Sequence, residues 1–484
     1  MHQVSVGAMG LESWVRFYRT HANVWTIASF AGLLTGCVQS ASVLSEAPSN
    51  ARLVVLDSGL RQDLSAPALS PASASPGPSL SPVERDRPQV YFEEYWTALA
   101  ELNLDVLRGL ARSEPEIGFA EGVALLAAGE QEKAESAFLY ASRQSTDVNV
   151  AVASQIMLAT TLLYEHKWTT LRDLTASSRL VLVDRRNTSD LEQWGHAFAS
   201  VDRQMTSIPL APVSLPLRVS VVGTPTIRVQ INGKEFEFWV DTGSSITVLS
   251  SDVAAEANVA ILSPDTLTIR TFAGEAPVRP ASVKRMELGP IVLTNTPAIV
   301  IDASLMRLRG TTEGIPREGL HVDGIIGWDT IRQLDVLMDY ENGTITLARP
   351  ESLGTKGTTA QNLTWMGKPF VEVRTMLGGT LHFTLDTGAQ SSFLNASMLN
   401  RTGAITSISD SRVFGIAKTG QRTGRVVPSL ALNVAGRTLR LLSVIVYGPA
   451  HSGLINSDGV LGSDIAQFGK IRIDATNGLF SVLG

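Results

Sequence analysis

Apolar and polar residues alternate along two short stretches in the second half of the chain, residues 236–240 and 381–385. Every second residue in each stretch is apolar, which predicts a strand with one face turned towards a core. An Asn232-Gly233 pair precedes the first stretch and a Gly378-Gly379 pair precedes the second. Pairs of this kind favour tight turns between strands. We therefore expect two β-hairpins in the region that begins near residue 212.

Both predicted hairpins end in the same tripeptide, Asp-Thr-Gly, at the point where the second strand stops. A single copy would be explained as a turn in which the aspartate caps the backbone. Two copies after the same pattern instead favour a shared function. The two sites read Asp241-Thr242-Gly243-Ser244 and Asp386-Thr387-Gly388-Ala389.

The agreement between the two copies continues downstream. An apolar pair lies between glycines from Gly324 to Gly327, and its counterpart runs from Gly459 to Gly462. An Asn-Gly pair follows each segment, and its glycine, Gly343 or Gly478, lies 16 residues after the segment's last glycine (343 − 327 and 478 − 462). Two motifs in the same order with one internal spacing imply that a single fold unit is repeated.

The composition of the chain bounds the number of domains and argues against several kinds of site. The 484 residues suffice for two to four domains, and the hydrophobic fraction of 44% suffices for their cores. A formal net charge of −6 argues against a nucleic-acid-binding surface. One cysteine excludes an intrachain disulfide, and the seven histidines have no metal-ligand spacing. We expect no cofactor, no metal and no nucleic-acid partner.

The start of the chain resembles a bacterial lipoprotein signal. Arg16 and Arg19 precede an apolar run, residues 24–34, that is too short to span a bilayer. Leu-Thr-Gly then precedes Cys37, the only cysteine. The resemblance implies a signal peptide at 1–36 and a lipid on Cys37 that anchors the protein in the bacterial cell envelope, facing the periplasm, with the residue after the cysteine favouring the outer membrane. A plain signal peptide or an apolar terminus is the alternative.

Two segments separate this signal from the duplicated region. Residues 37–88 are rich in Ser, Ala and Pro and bury too little apolar surface to fold, which predicts a disordered tether. Residues 89–207 are predicted to be helical. Six of them have the spacing of a tetratricopeptide repeat: Gly122, Leu125, Gly129, Ala134, Phe138 and Ala141.

The helical region has two interpretations. A tetratricopeptide-like domain would bind a protein partner, and a weaker second copy of the pattern follows the first. An unrelated stack of helical hairpins, serving only as a spacer, fits nearly as well.

The paired Asp-Thr-Gly motifs resemble the retropepsin-like aspartic proteases. The resemblance covers residues 212–484 and implies two β-barrel lobes, 212–350 and 358–484, that pair across a two-fold axis as in pepsin-type enzymes. The expected fold is therefore multidomain, with a helical repeat-like domain followed by a two-lobed, all-β pseudo-dimer.

The resemblance also assigns roles to the motif residues. Asp241 and Asp386 would be the catalytic pair, one from each lobe. The threonines after them would interlock the two loops by hydrogen bonds, and the glycines would allow the tight turns, with Ser244 and Ala389 completing the loops. The Gly-apolar-apolar-Gly segments would pass behind the loops and hold them.

Two neighbouring carboxyl groups suit peptide hydrolysis without a metal or a side-chain nucleophile. They cannot both ionise readily at close range, so they share one proton. The ionised carboxylate can act as a base on a water molecule, while the protonated one donates to the scissile carbonyl oxygen.

Candidate flaps that would close over the substrate are harder to place. Phe272 and Gly274 lie about 30 residues past the first aspartate, and Phe414 and Gly415 are similarly placed after the second (272 − 241 = 31 and 414 − 386 = 28). Ordinary surface hairpins would explain these residues equally well.

The sequence thus predicts an aspartic endopeptidase that acts on a peptide or protein substrate. We expect a monomer whose lobes pair within one chain, although pairing of lobes between chains is an alternative. A rival from another class is a catalytically silent lipoprotein of the same fold that binds peptides or acts as a scaffold.

Overall fold

The computed structural model describes residues 39–40, 89–177, 185–264, 266–271, 274–308, 319–350, 361–415, 418–447 and 454–483. Cys37, the expected signal peptide and Phe272 lie outside these residues, so the predictions about them stay predictions. Within the expected tether, Gln39–Ser40 form a short strand, β1.

Helices occupy the described residues between 89 and 198, and each packs on the next along the chain. Ser113 and Glu116 form a capping box that fixes the start of the third helix. Gly122 lies against Phe138, where an added Cβ would come within 2.7 Å of the ring, so the third and fourth helices pack closely. The helices are α1 (Gln89–Ala100), α2 (Leu104–Leu110), α3 (Glu114–Ala127), α4 (Gln131–Gln144), α5 (Val148–Tyr164), α6 (Trp168–Ser177) and α7 (Arg185–Phe198).

One boundary differs from the sequence-based expectation. The helical range was expected to extend to residue 207, but Met205–Ser207 form strand β2, which pairs with Ile291–Ile301 in the first barrel. Three residues are too few to show a period, so only the pairing partner identifies this strand.

The first lobe contains a closed barrel of six strands, β5-β6-β14-β7-β11-β10, in which β10 pairs back to β5. The Asn232-Gly233 turn between β5 and β6 has positive φ at both residues (50° and 84°), as a two-residue hairpin requires. The elements of this lobe are β3 (Val213–Pro216), β4 (Arg218–Val219), β5 (Pro225–Ile231), β6 (Lys234–Val240), β7 (Thr247–Ser250), α8 (Ser251–Glu256), β8 (Ala260–Ile261), β9 (Leu267–Thr271), β10 (Gly274–Leu288), β11 (Ile291–Ile301), β12 (Arg307–Leu308), β13 (Leu320–His321), β14 (Gly324–Ile326), α9 (Trp328–Ile331), β15 (Asp335–Asp339) and β16 (Thr344–Ala348).

The second lobe contains a closed barrel with the same strand order, β18-β19-β24-β20-β23-β22, in which β22 pairs back to β18. In both barrels the strand that ends at Asp-Thr-Gly runs parallel to the Gly-apolar-apolar segment. The elements are β17 (Leu363–Trp365), β18 (Pro369–Thr375), β19 (Thr380–Leu385), β20 (Phe393–Asn395), a 3₁₀ turn (Ala396–Met398), α10 (Leu399–Thr402), β21 (Ser407–Gly415), β22 (Lys418–Val434), β23 (Arg437–Tyr447), β24 (Gly459–Leu461), a 3₁₀ helix (Ser463–Phe468), β25 (Lys470–Asp474) and β26 (Leu479–Leu483).

A third sheet joins the lobes, in the order β26-β25-β15-β16-β3. Its central pair is β15 of the first lobe and β25 of the second, which are antiparallel and place Leu337 opposite Arg472. Apolar side chains of both barrels and of this sheet form one buried cluster. The lobes are therefore joined by a shared core, which fixes where their Asp-Thr-Gly loops meet.

Candidate active site

Asp241 and Asp386 lie just beyond the ends of β6 and β19. The Asp241 amide donates to the Ile326 carbonyl at 3.0 Å, and the Asp386 amide donates to the Leu461 carbonyl, also at 3.0 Å. Both acceptors belong to the Gly-apolar-apolar-Gly segments, so these segments hold the two loops in equivalent ways.

The threonines of the two motifs bond across the lobe boundary. The Thr242 amide donates to Thr387 Oγ1 at 3.0 Å, and the Thr387 amide donates to Thr242 Oγ1 at 3.0 Å. The hydroxyls in turn donate to the carbonyls of Leu385 (2.9 Å) and Val240 (2.7 Å). These four buried bonds lock one loop to the other.

The motif glycines bring each loop against the carboxyl group of the other lobe. A Cβ on Gly243 would lie 2.4 Å from Asp386 Cγ, and one on Gly388 would lie 2.3 Å from Asp241 Oδ2. Contacts this short leave no room for any side chain. The structure therefore brings Asp241, Asp386 and both glycines into one constellation.

Burial controls the ionisation of the two aspartates, which are 0% and 3% exposed. Burial raises the pKa of the Asp386 carboxyl well above its usual value, and the charge of Asp241 raises it further. Burial also raises the pKa of Asp241, to about 7, although the hydrogen bond that the Gly243 amide donates to Asp241 Oδ1 opposes this. Asp241 Oδ2 is buried and has no hydrogen-bond partner among the described residues. The pair is therefore suited to share one proton.

The comparison with protein families agrees with this geometry. Residues 227–330 match a family described as aspartyl protease. This part of the first lobe is an aspartyl protease-like domain. The match runs from β5 to α9 and includes Asp241 with its whole motif. A comparison with curated proteins found no match.

Two further carboxyl groups support the loops of the aspartyl protease-like domain and of its counterpart, and the sequence analysis missed them. The Thr247 hydroxyl donates to Asp329 Oδ1 at 3.2 Å, and the Ser392 hydroxyl donates to Asp464 Oδ1 at 2.7 Å. Burial raises the pKa of Asp329 to about 7. The sequence could have indicated these two aspartates, since each lies two residues after the last glycine of a Gly-apolar-apolar-Gly segment (329 − 327 and 464 − 462).

The residues after the motif glycines differ between the lobes. The Ser244 hydroxyl donates to the Ile246 carbonyl at 2.8 Å. Ala389 instead accepts, through its carbonyl oxygen, a bond of 2.9 Å from the Ser463 hydroxyl. Both loops are buried.

Three of the candidate flap residues, Gly274, Phe414 and Gly415, lie at the ends of hairpin strands in the described part of the chain. Gly274 begins β10 and pairs with Thr271 at the end of β9. Phe414 and Gly415 end β21, where Gly415 pairs with Lys418 of β22. Their position in equivalent hairpins of the two lobes is compatible with flaps, and that role stays a prediction.

In the described part of the chain, no group of three or more His, Cys, Asp or Glu side chains is arranged to hold a metal ion. Of the helices that the structure describes, none is both long and apolar enough to cross a membrane.

Proposed function

We propose that this protein is an aspartic endopeptidase in which Asp241 and Asp386 together activate a water molecule. The observation that carries the proposal is the mutual packing of the two Asp-Thr-Gly loops, in which each motif glycine touches the aspartate of the other lobe. Neither lobe alone could form such a pair. No cofactor enters the reaction that we propose.

The ionisation of the pair assigns the starting roles. Burial raises the pKa of both carboxyls, so the pair shares one proton and has one ionised and one protonated member. The ionised carboxylate takes a proton from water as the water oxygen attacks the scissile carbonyl carbon, and the protonated carboxyl gives its proton to the carbonyl oxygen. The resulting diol collapses when one of its hydroxyls returns a proton to the carboxylate that is now ionised, the C=O bond re-forms, the C–N bond breaks, and the leaving nitrogen receives the proton held by the other carboxyl.

Charge complementarity in the shared sheet supports pairing of a first lobe with a second lobe, and one chain supplies both. Arg472 donates from Nε and Nη2 to the two carboxylate oxygens of Asp335 at 2.8 and 2.7 Å, and Lys470 Nζ lies 2.7 Å from Asp339. The anions come from the first lobe and the cations from the second.

Identical lobes in the same register would not match. Two β15 strands in the observed register would place Asp335 opposite Asp339 with no cation between them, and two β25 strands would place Arg472 opposite Arg472. In the observed pair Asp335 lies opposite Asp474, and the Arg472 guanidinium lies within 2.7 Å of the first carboxylate and 3.6 Å of the second. Like charges in opposition destabilise a strand pair unless an opposite charge compensates them. We therefore propose a monomer with an asymmetric cleft.

The location of the enzyme is a separate proposal that rests on Cys37. A lipid on this residue would hold the enzyme in the bacterial envelope, in the outer membrane and facing the periplasm. Changing Cys37 to Ser should move the protein from the membrane fraction to the soluble fraction, because stable attachment needs the acyl chains. Unchanged membrane attachment would contradict the proposal.

The test of the function is cleavage of a peptide library by the full chain, scanned over pH, with Asp241→Asn as the control. We expect cleavage that a peptide-like transition-state mimic inhibits and that metal chelators do not affect. Cleavage of equal rate by Asp241→Asn would refute the assignment.

A further inference from the structure

Apolar residues beside the proposed catalytic loop point in two directions. Phe238, Val240 and Ile326 point into the cluster of buried residues that fills the barrels. Trp239 and Ile325 alternate with them on the same strands and belong to a second buried cluster. This second face of the strands adjoins the dyad, because Trp239 lies two residues before Asp241.

The second cluster is continuous with the helical region. On the lobe side it includes Ile246, five residues after Asp241, and Leu267, Ile269 and Ala276 of the β9–β10 hairpin. Helix α7 packs directly on this hairpin. From the helical region it includes Leu171, Leu191, Trp194 and Phe198. The apolar surface beside the dyad is therefore covered by helices rather than by solvent.

Specific contacts fasten the helices to both lobes. The Arg332 guanidinium, which follows α9 of the first lobe, lies 3.8 Å from the centre of the Tyr164 ring and donates to the Tyr164 carbonyl. The other side of the interface is Trp365 of the second lobe, whose ring stacks on Tyr164 at 3.8 Å. At a separate point the Asn456 amide donates to the Ala100 carbonyl at 2.8 Å.

We propose that the helical region is a built-in cover of the substrate cleft and that the enzyme cleaves peptides only in the minor fraction of molecules whose helices have moved away from the lobes. The inference rests on the proposed peptidase function. It follows from three facts taken together: the dyad is 0% and 3% exposed, the apolar surface beside it is sealed by helices, and one tyrosine fastens those helices to both lobes. A peptide chain needs this apolar surface for its own side chains, so helices and substrate compete for it.

Tyr164→Ala in the full chain tests the cover, because it removes the ring on which both Arg332 and Trp365 pack. Loss of a cation–π contact and a stacking contact should increase the open fraction and the rate of peptide cleavage by about tenfold. Tyr164→Phe is the matched control, since it keeps the ring, and it should leave the rate unchanged. Arg332→Gln is the second variant if Tyr164→Ala does not fold.

A second measurement, the rate of cysteine labelling, reports movement of the helices independently of peptide hydrolysis. Ile269 is 4% exposed in β9, so Ile269→Cys in a Cys37→Ser background should react slowly with a maleimide. Adding Tyr164→Ala should speed labelling by about the same factor as cleavage, because both report the open fraction. Faster labelling without any cleavage would keep the cover and refute the peptidase function. Unchanged labelling and an unchanged cleavage rate in both folded variants would overturn the cover.

Discussion

The two lobes share one strand order and yet differ in what surrounds them. Each closes a six-stranded barrel in the same sequence of pairings, and each delivers Asp-Thr-Gly at the end of an equivalent strand. Most of the lobe residues in the cluster shared with the helices come from the first lobe, while the second contributes mainly Met366, Phe370 and Ile455. The strand order and the Asp-Thr-Gly loops are thus alike in the two lobes, whereas the surfaces that meet the helices differ.

The divergence extends to the sheet between the lobes. Leu337 and Arg472 occupy equivalent places, each ten residues after the last glycine of its segment (337 − 327 and 472 − 462), and face each other in the register. One is apolar and the other carries a charge that pairs with Asp335 of the opposite lobe. The Asp-Thr-Gly residues are therefore the same in the two lobes, while the residues directly after them and those in the facing strands of the shared sheet differ.

The largest effect should come from removing either half of the dyad. Asp241→Asn and Asp386→Asn should each lower kcat by roughly 10⁴-fold, and the double variant should be no worse, because the pair acts as one unit. Steady-state cleavage of one peptide by all three variants measures this. Mixing the two inactive single variants should restore nothing if the lobes pair within one chain. Recovered activity would show pairing between chains.

A substitution at Arg472 tests the charge pairing that makes the shared sheet asymmetric. Arg472→Met leaves the fully buried Asp335 without its cation, and we expect a loss of about 3–5 kcal/mol in the free energy of unfolding, measured with urea. The double variant Arg472→Met with Asp335→Leu should regain part of the loss, because the charge of Asp335 is then gone while Asp474, fully buried and 3.6 Å from the guanidinium, still loses its cation. A loss as large in the double variant would mean that packing, not charge, is responsible.

The symmetry of the loops can be broken at one glycine. Gly243→Ala would place a Cβ 2.4 Å from Asp386 Cγ and push the loops apart, so kcat should fall by roughly 10²-fold with the chain still folded. Gly379→Ala is a matched control in a turn of the second lobe, where an added Cβ would come no nearer than 3.4 Å to another atom. Comparable kinetics for the two variants would contradict the close approach of the loops.

The smallest expected effect is the dependence of the free energy of unfolding on pH. Because burial raises the pKa of Asp386 in the folded state above its unfolded value, the folded protein keeps a proton that the unfolded chain has lost. The free energy of unfolding should therefore fall as pH rises from about 4 towards the folded pKa, by up to about 1.4 kcal/mol per pH unit for this group. Asp386→Asn should flatten that slope in urea titrations at several pH values, and Asp302→Asn, at an exposed site, should not.

Several elements were predictable because they depend on neighbouring residues. The Asn232-Gly233 turn forms as expected, since both residues readily adopt positive φ. The strands that end at the two aspartates were predicted by alternation, and the Gly-apolar-apolar-Gly segments pack behind the loops as the resemblance implied. Strand β2 was not predicted, because its three residues form a strand only by pairing with β11, about 90 residues further along the chain.

The sequence by itself determined that one set of motifs occurs twice in tandem, because a repeated motif with fixed internal spacing is a local property that needs no knowledge of contacts. The tertiary structure alone decided that the two loops touch, that Arg472 pairs with Asp335, and that Tyr164 joins the helices to both lobes. These contacts join residues more than 130 positions apart, as with Tyr164 and Arg332. Which distant residues meet is set by how whole barrels and helices pack, and no local pattern of apolar and polar residues encodes that choice.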